Sequence, residues 1–136
     1  MSDIYVDRVN DIMVFRAVGT MSYDELVDTI ETCYPLVTRH ILWDFRDCDL
    51  AGITSKQFMM LPAIASSFMA NRRKDGKSAY VATDTINYGL LSTYVVIAEI
   101  RGVIYKYNVF RTLKAALEWL YSQKRVALKD GYRATL

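Results

Sequence analysis

Cysteine is nearly absent from this chain, and histidine more so. The two cysteines, Cys33 and Cys48, are too few to build a disulfide scaffold, and a reducing compartment would keep them as thiols. Cys33 reads as helix core. Cys48 stands between Asp47 and Asp49, whose charges disfavour a thiolate, so a reactive cysteine is not expected there. His40 is the one histidine, which removes most acid–base and nucleophilic triads at a stroke. Long apolar runs are missing too: no stretch approaches the roughly 18 residues of a membrane helix. The opening MSDIYVDRVND is acidic and lacks a signal-peptide core, so a cytoplasmic location is expected. Charge of one sign is also lacking, since the net charge is only +2, and this argues against a nucleic-acid partner. There is no Gly-x-Ser-x-Gly elbow, phosphate-binding Gly-x-x-x-x-Gly-Lys loop, dinucleotide fingerprint or Cys-x-x-Cys pair. No cofactor and no catalytic residue is expected on these grounds, and the chain reads as a non-enzyme.

What is present is an ordinary globular composition, 52% apolar and 24% charged, without repeats, linkers or low-complexity tracts. A chain of this size buries about two thirds of its surface on folding, enough for one compact domain. Residues 1–124 form that domain in this reading, and 125–136 a basic tail containing Gly131.

Strands and helices alternate along the chain. Ile4–Val6 and Ile12–Val18 read as a hairpin joined at Val9-Asn10-Asp11, with Ile12, Val14 and Val18 on one face and Met13, Phe15 and Ala17 on the other. Gly19 ends the pair. Ser22 caps a helix, Glu25 completes its capping box, and Met21 with Leu26 can staple its start. Leu26, Ile30 and Cys33 form its buried stripe until Pro35 stops it. A strand Ile41–Phe45 leads into an acidic loop. Thr54 then repeats the capping device with Gln57, and Ile53 can staple to Phe58. Phe58, Leu61, Ala65 and Phe68 recur at helical spacing around Pro62. The basic run Arg72-Arg73-Lys74 is expected at this helix's end, complementing its dipole, with Gly76 as a left-handed cap, a reading preferred to a phosphate or lipid-headgroup site on the same residues. Ser78–Ala82 is a strand, Asp84 caps a helix closed by Gly102, Val103–Phe110 is a strand, and Thr112 caps a last helix with Leu113, Ala116, Leu117 and Leu120 on one face. The expected fold is α/β, order ββαβαβαβα: a mostly parallel mixed sheet of about five strands, an antiparallel N-terminal hairpin strand and four helices.

Function is expected at the carboxyl ends of the strands, where loops of an open α/β sheet meet ligands. Residues 41–58 supply that region, with Asp44 at a strand end and Asp47 and Asp49 in a solvated loop. Carboxylates can ligate Mg²⁺, but nothing in the pattern imposes a geometry, and no metal is expected. Thr54 and Ser55 follow at a helix start. In the third helix Leu91, Tyr94, Val95 and Ala98 serve the core, yet Gly89, Thr93, Val96, Ile97 and Ile100 make a second face that is also largely apolar. Either a second subunit or an apolar ligand covers that face, or the N-terminal hairpin or the tail buries it; a homodimer through it is one expectation. A non-polar guest would instead sit between sheet and helices, with Phe58, Phe68, Tyr88 and Leu91 as its wall.

Three motifs carry a family resemblance: Leu42-Trp43-Asp44-Phe45-Arg46, Tyr88-Gly89-Leu90, and Phe110-Arg111-x-Leu113-x-x-Ala116-Leu117-x-Trp119-Leu120. With the order of elements they make the chain resemble the SpoIIAA-like proteins of the STAS and CRAL-TRIO-like fold group, over about residues 3–122. The resemblance implies a non-catalytic binding domain. On the STAS side it implies a bacterial regulator that binds a kinase partner and is switched by phosphorylation; on the CRAL-TRIO side it implies a carrier of a small non-polar molecule. Anti-sigma antagonists carry Asp-Ser-Ser-Gly after the central strand. Laying Asp44 on the family's strand aspartate places Gly52, Ile53, Thr54 and Ser55 there, so the acceptor position falls on Ile53, and a one-residue shift brings Thr54 or Ser55 to it.

Overall fold

The computed structural model describes residues 1–101 and 104–122. Ten elements follow in order: β1 (Ser2–Val9), β2 (Ile12–Thr20), α1 (Tyr23–Cys33), a 3₁₀ turn (Tyr34–Leu36), β3 (His40–Asp49), α2 (Ser55–Ser66), β4 (Lys77–Val81), α3 (Thr85–Ile100), β5 (Lys106–Phe110) and α4 (Leu113–Tyr121). The five strands pair in sequence order, β1-β2-β3-β4-β5, with β1 antiparallel and the rest parallel. Right-handed crossovers that always step in one direction must lie on one face. Accordingly α1, α2 and α3 share one side of the sheet and α4 takes the other.

The larger core layer sits under α1–α3. Its centre is an aromatic file in which Trp43 stacks between Phe15 (ring centroids 4.5 Å) and Phe45 (5.0 Å), while Trp43 Nε1 donates to the Tyr34 hydroxyl at 2.9 Å. Leu26 and Ile30, Phe58 and Leu61, and Leu91 and Tyr94 close over it from the three helices. The smaller layer joins Ile12, Leu42, Ala79 and Val81 to Ala116 and Leu120 of α4. The hydrophobic alternation assigns these faces as expected from the sequence.

Local signals fare equally well at the helix starts. Both capping boxes form, Ser22 with Glu25 and Thr54 with Gln57, and Asp84 and Thr112 cap α3 and α4. Asn10 turns the hairpin at φ 56°, in the left-handed region that asparagine tolerates. Gly19 is required twice over: its φ is +105°, and a Cβ there would stand 2.8 Å from the Met1 carbonyl oxygen.

Three expectations are corrected. First, β3 does not stop at Phe45 but runs to Asp49, so Asp44 is not at a strand end and Asp47 and Asp49 are strand residues rather than loop. Between the pairs Arg16/Asp44 and Val18/Asp47, β2 advances two residues and β3 three. This bulge breaks the alternation and returns Cys48, not Asp47, to the core face. Second, α2 ends at Ser66, so Arg72-Arg73-Lys74 lies in the following loop, not at a helix end. Gly76 is not left-handed; it is small because a Cβ would collide with the Arg39 carbonyl and approach Arg72 Nε to 2.6 Å. Third, β5 begins at Lys106, after a bend at Ile104 and Tyr105. Gly102, Val103 and the tail 125–136 lie outside the described residues.

Candidate functional site

The carboxyl ends of β2 and β3 and the start of α3 meet around one depression, and the candidate residues named from the sequence divide into separate groups. Asp44 belongs to none of the exposed ones. It is 5% exposed and grips Arg46 in a fork, accepting from Arg46 Nε and Nη2 at 2.9 Å each and from the Arg46 backbone N–H at 3.1 Å. Burial opposes its charge, but the Arg46 hydrogen bonds and the charges of Arg46 and Arg16 outweigh that, so the carboxyl is held below its usual range. A carboxylate so engaged is a structural tie.

Asp47 and Asp49 are exposed and line an open depression of about 530 Å³ with Gly19, Thr20, Asp84 and Asn87. Each is already occupied. Asp47 pairs with Arg16 at 3.2 Å, Asp49 accepts from the Ala51 N–H at 2.9 Å, and Asp84 accepts from the Asn87 N–H at 2.9 Å to cap α3. Among the described residues no group of three His, Cys, Asp or Glu is placed to hold a metal ion. Burial pushes the Cys48 thiol up to about 11, with Asp49 adding to the effect, so it is neutral at ordinary pH.

Asn87 is the residue sequence reasoning missed. Buried on the core side of α3, it accepts from the Leu50 N–H at 3.1 Å and donates through Nδ2 to the Cys48 carbonyl. It thus fastens the end of β3 to the first turn of α3. The signal was available: Asn87 precedes Leu91, Tyr94 and Ala98 on the same helical stripe, and a polar side chain in a core stripe must find partners.

Thr54 and Ser55 stand apart at the α2 start. Thr54 Oγ1 accepts from the Gln57 N–H at 3.1 Å, and the Thr54 N–H donates in turn to Gln57 Oε1 at 2.9 Å. Ser55 is exposed at the first helical position.

Exposed apolar side chains follow on α2 and on α3, the helix packed against it. On α2, Met59 and Met60 are each 48% exposed; on α3, Val96 is 52% and Ile100 78% exposed. A groove of about 400 Å³ between the helices is lined by Lys56, Met59, Met60, Ala63, Ile64 and Arg101. The second face of α3 is therefore not buried by the N-terminal hairpin, which sits at the far edge of the sheet. Gly89 and Thr93 are exposed, Ile97 is half-buried, and a Cβ on Gly89 would meet nothing within 4 Å.

The expected wall of an apolar guest site is only partly assembled. Phe58 and Leu91 do line a cavity under the helices, with Trp43, Tyr80 and Tyr94, but its volume is about 30 Å³. That is room for about one water, against the several hundred Å³ of ligand pockets. Phe68 and Tyr88 are not part of it; Tyr88 instead stacks under the Arg111 guanidinium, 4.2 Å from its ring centre.

Comparison with known proteins places the fold. No protein-family model and no curated protein matches the sequence. Solved structures do match: an anti-sigma factor antagonist from Mycobacterium paratuberculosis, 12% identical, superposes with a TM-score of 0.56 over 90% of this chain and 96% of its own. An uncharacterized protein with a SpoIIAA-like fold from Shewanella loihica, 15% identical, gives 0.51 over 88% and 93%. The chain has the SpoIIAA-like fold, a single α/β domain with its five-stranded mixed sheet. Among the described residues no helix is long and apolar enough to cross a membrane.

Proposed function

We propose that this SpoIIAA-like domain is a non-catalytic protein-interaction module of bacterial regulation, and that its partner docks on the outer surface of α2 and α3. The observation that carries this reading is the exposure of Met59, Met60, Val96 and Ile100 on two adjacent helices. Soluble monomers rarely leave such side chains grouped in water, and methionines suit surfaces that adapt to a partner. The likeness to an anti-sigma factor antagonist supports the regulatory setting.

Ser55 supports a switch at the edge of the same surface. It is exposed, directly follows the cap of α2, and its hydroxyl makes no hydrogen bond among the described residues. A phosphate there would sit at the positive end of the helix dipole without unfolding it, while changing the charge beside Lys56 and Met59. Thr54 is the less suitable acceptor because its hydroxyl already holds the helix start.

A second copy of this chain is one occupant of the surface, through Gly89, Thr93, Val96, Ile97 and Ile100; a different protein is the other. Both are tested together by Val96→Glu and Met60→Glu, which place a charge where a partner would desolvate it. Both variants should fold with unchanged circular dichroism. Each should convert a dimeric parent to monomer in sedimentation, or release a partner that the parent retains on affinity capture from its native cells. A monomeric parent whose captured partners are the same with and without the substitutions would remove the proposal. The carrier reading has less support, because the cavity under the helices is too small for a guest.

A further inference from the structure

The opposite end of the sheet, where β3, β4 and β5 begin, holds a concavity of about 460 Å³. Arg39, Lys74, Lys77 and Lys106 stand in its wall, with Asp75 as the one carboxylate among the described lining residues. That carboxylate is shared between Arg39 Nη2 at 3.2 Å and Arg73 Nη2 at 2.9 Å, and the other Arg39 partner is Asp11 at 2.7 Å.

Behind the wall is a more unusual cation. Arg72 is 5% exposed, yet its partners among the described residues are all neutral: the Arg39 carbonyl at 2.6 Å, the Ser78 hydroxyl at 3.0 Å, Met69 sulfur at 3.3 Å, and the Tyr105 ring 4.1 Å below its guanidinium. A charge held in a poorly polarisable interior without a counter-ion projects its field further than one in water. Among the described residues around the concavity, six cations, Arg39, Arg72, Arg73, Lys74, Lys77 and Lys106, stand with two carboxylates, Asp11 and Asp75. His40 lies in the same surroundings. Its Nδ1 accepts from the Lys77 backbone N–H at 3.0 Å, and burial, reinforced by the charges of Arg39, Lys77 and Arg72 against that of Asp11, keeps its imidazole neutral down to about pH 4.

Part of this charge has a structural purpose. The Lys77 ammonium donates to the Trp119 and Ser122 carbonyls at 2.7 and 2.9 Å and so completes the end of α4. Lys74 and Lys106 serve no comparable purpose, since both are exposed and neither side chain makes a hydrogen bond or ion pair among the described residues. Nor does the chain beyond Ser122 bring an excess of negative charge, since it carries Lys124, Arg125, Lys129 and Arg133 against Asp130 alone.

We propose that this concavity is a binding site for a small multivalent oxyanion, a phosphate or polyphosphate group, held by Lys74 and Lys106 at its mouth and by Arg39 in its wall. Ammonium groups act on phosphate as point charges and need no planar fork, and the volume suits a phosphorylated small molecule. The site is independent of the α2–α3 surface and survives if that reading fails.

The test is calorimetric titration with inorganic pyrophosphate, and separately with glycerol 3-phosphate, at constant ionic strength, followed by amide NMR. Saturable one-site binding is expected, with the largest shifts at Gly76, Lys77 and Lys106. The double variant Lys74→Gln/Lys106→Gln should weaken it about tenfold or more, each lost charge-assisted contact weighing heavily. Lys114→Gln, on α4 and outside the concavity, should leave it unchanged. Tighter binding of pyrophosphate assigns the site to inorganic or polyphosphate anions, and tighter binding of glycerol 3-phosphate to phosphorylated metabolites. Absence of saturation, equal binding by the double variant, or equal weakening by Lys114→Gln would overturn the proposal.

Discussion

Three buried polar side chains, His40, Asp44 and Asn87, set how the stability of this domain responds to pH and to substitution. His40 is 3% exposed and its folded pKa is lowered from 6.5 to about 4. The unfolded chain therefore binds the proton first as pH falls, and stability must drop from about pH 6.5 downward until the folded form also protonates near pH 4. Between about pH 7 and about pH 5 the loss should be about 2 kcal/mol, measured as the change in unfolding free energy in urea. A His40→Gln variant should show a nearly flat profile over that window. The lowered carboxyl of Asp44 acts in the same direction but lower on the scale, its contribution being lost as pH falls below about 4. Asn87 offers a sharper test. Asn87→Leu removes both the acceptor for Leu50 N–H and the donor to the Cys48 carbonyl, leaving two buried backbone groups unpaired, and should destabilise by roughly 2–4 kcal/mol in the same assay. Asn87→Asp keeps the acceptor but sets a buried carboxylate oxygen against the Cys48 carbonyl, and should destabilise at least as much at neutral pH.

At the scale of the element, α2 decides between two readings of the same short stretch. Its capping box makes Thr54 worth about 1 kcal/mol to the helix, so Thr54→Ala should lower stability by that amount while Thr54→Ser restores it. Ser55→Asp adds a negative charge at the first turn and should leave the melting temperature unchanged or slightly raised. If Ser55→Asp alters partner capture while Thr54→Ser does not, the switch is at Ser55. Unchanged capture, with no phosphate on protein from its native cells, would remove the switch from this site. Pro62 lies inside α2 and cannot donate to the Phe58 carbonyl, yet the helix continues to Ser66 because Phe58, Leu61 and Ala65 remain anchored in the core.

For the whole molecule, the monotonic strand order has a functional consequence. Doubly wound sheets bind small molecules in the crevice where strand order reverses, and the five described strands contain no such reversal. The cavity of about 30 Å³ under the helices is the residue of imperfect packing among large aromatic rings rather than a chamber. Organic extraction should accordingly leave the melting temperature unchanged, and native mass spectrometry should show no co-purified lipid in the protein interior. A bound guest, with a melting point that falls on its removal, would revive the carrier reading.

Sequence alone determined the order of elements, the two faces of the sheet and every helix start, because each rests on information a few residues wide: the period of apolar side chains, a capping serine, threonine or aspartate, a partner three positions on. What it could not determine lay wherever a residue's role depends on a neighbour distant in the chain. The extension of β3 through Asp47 and Asp49 required β2 to supply a partner strand past a bulge, so the acidic stretch passed for a loop. Arg72 passed for a helix-end cation because only the folded chain brings Arg39, Ser78 and Tyr105 around it. The second face of α3 was legible as apolar, but whether it was covered depended on the strand order, which set the hairpin at the opposite edge. Short-range patterns specify elements because their energetics are local; burial and exposure of a given face are settled only when the elements meet.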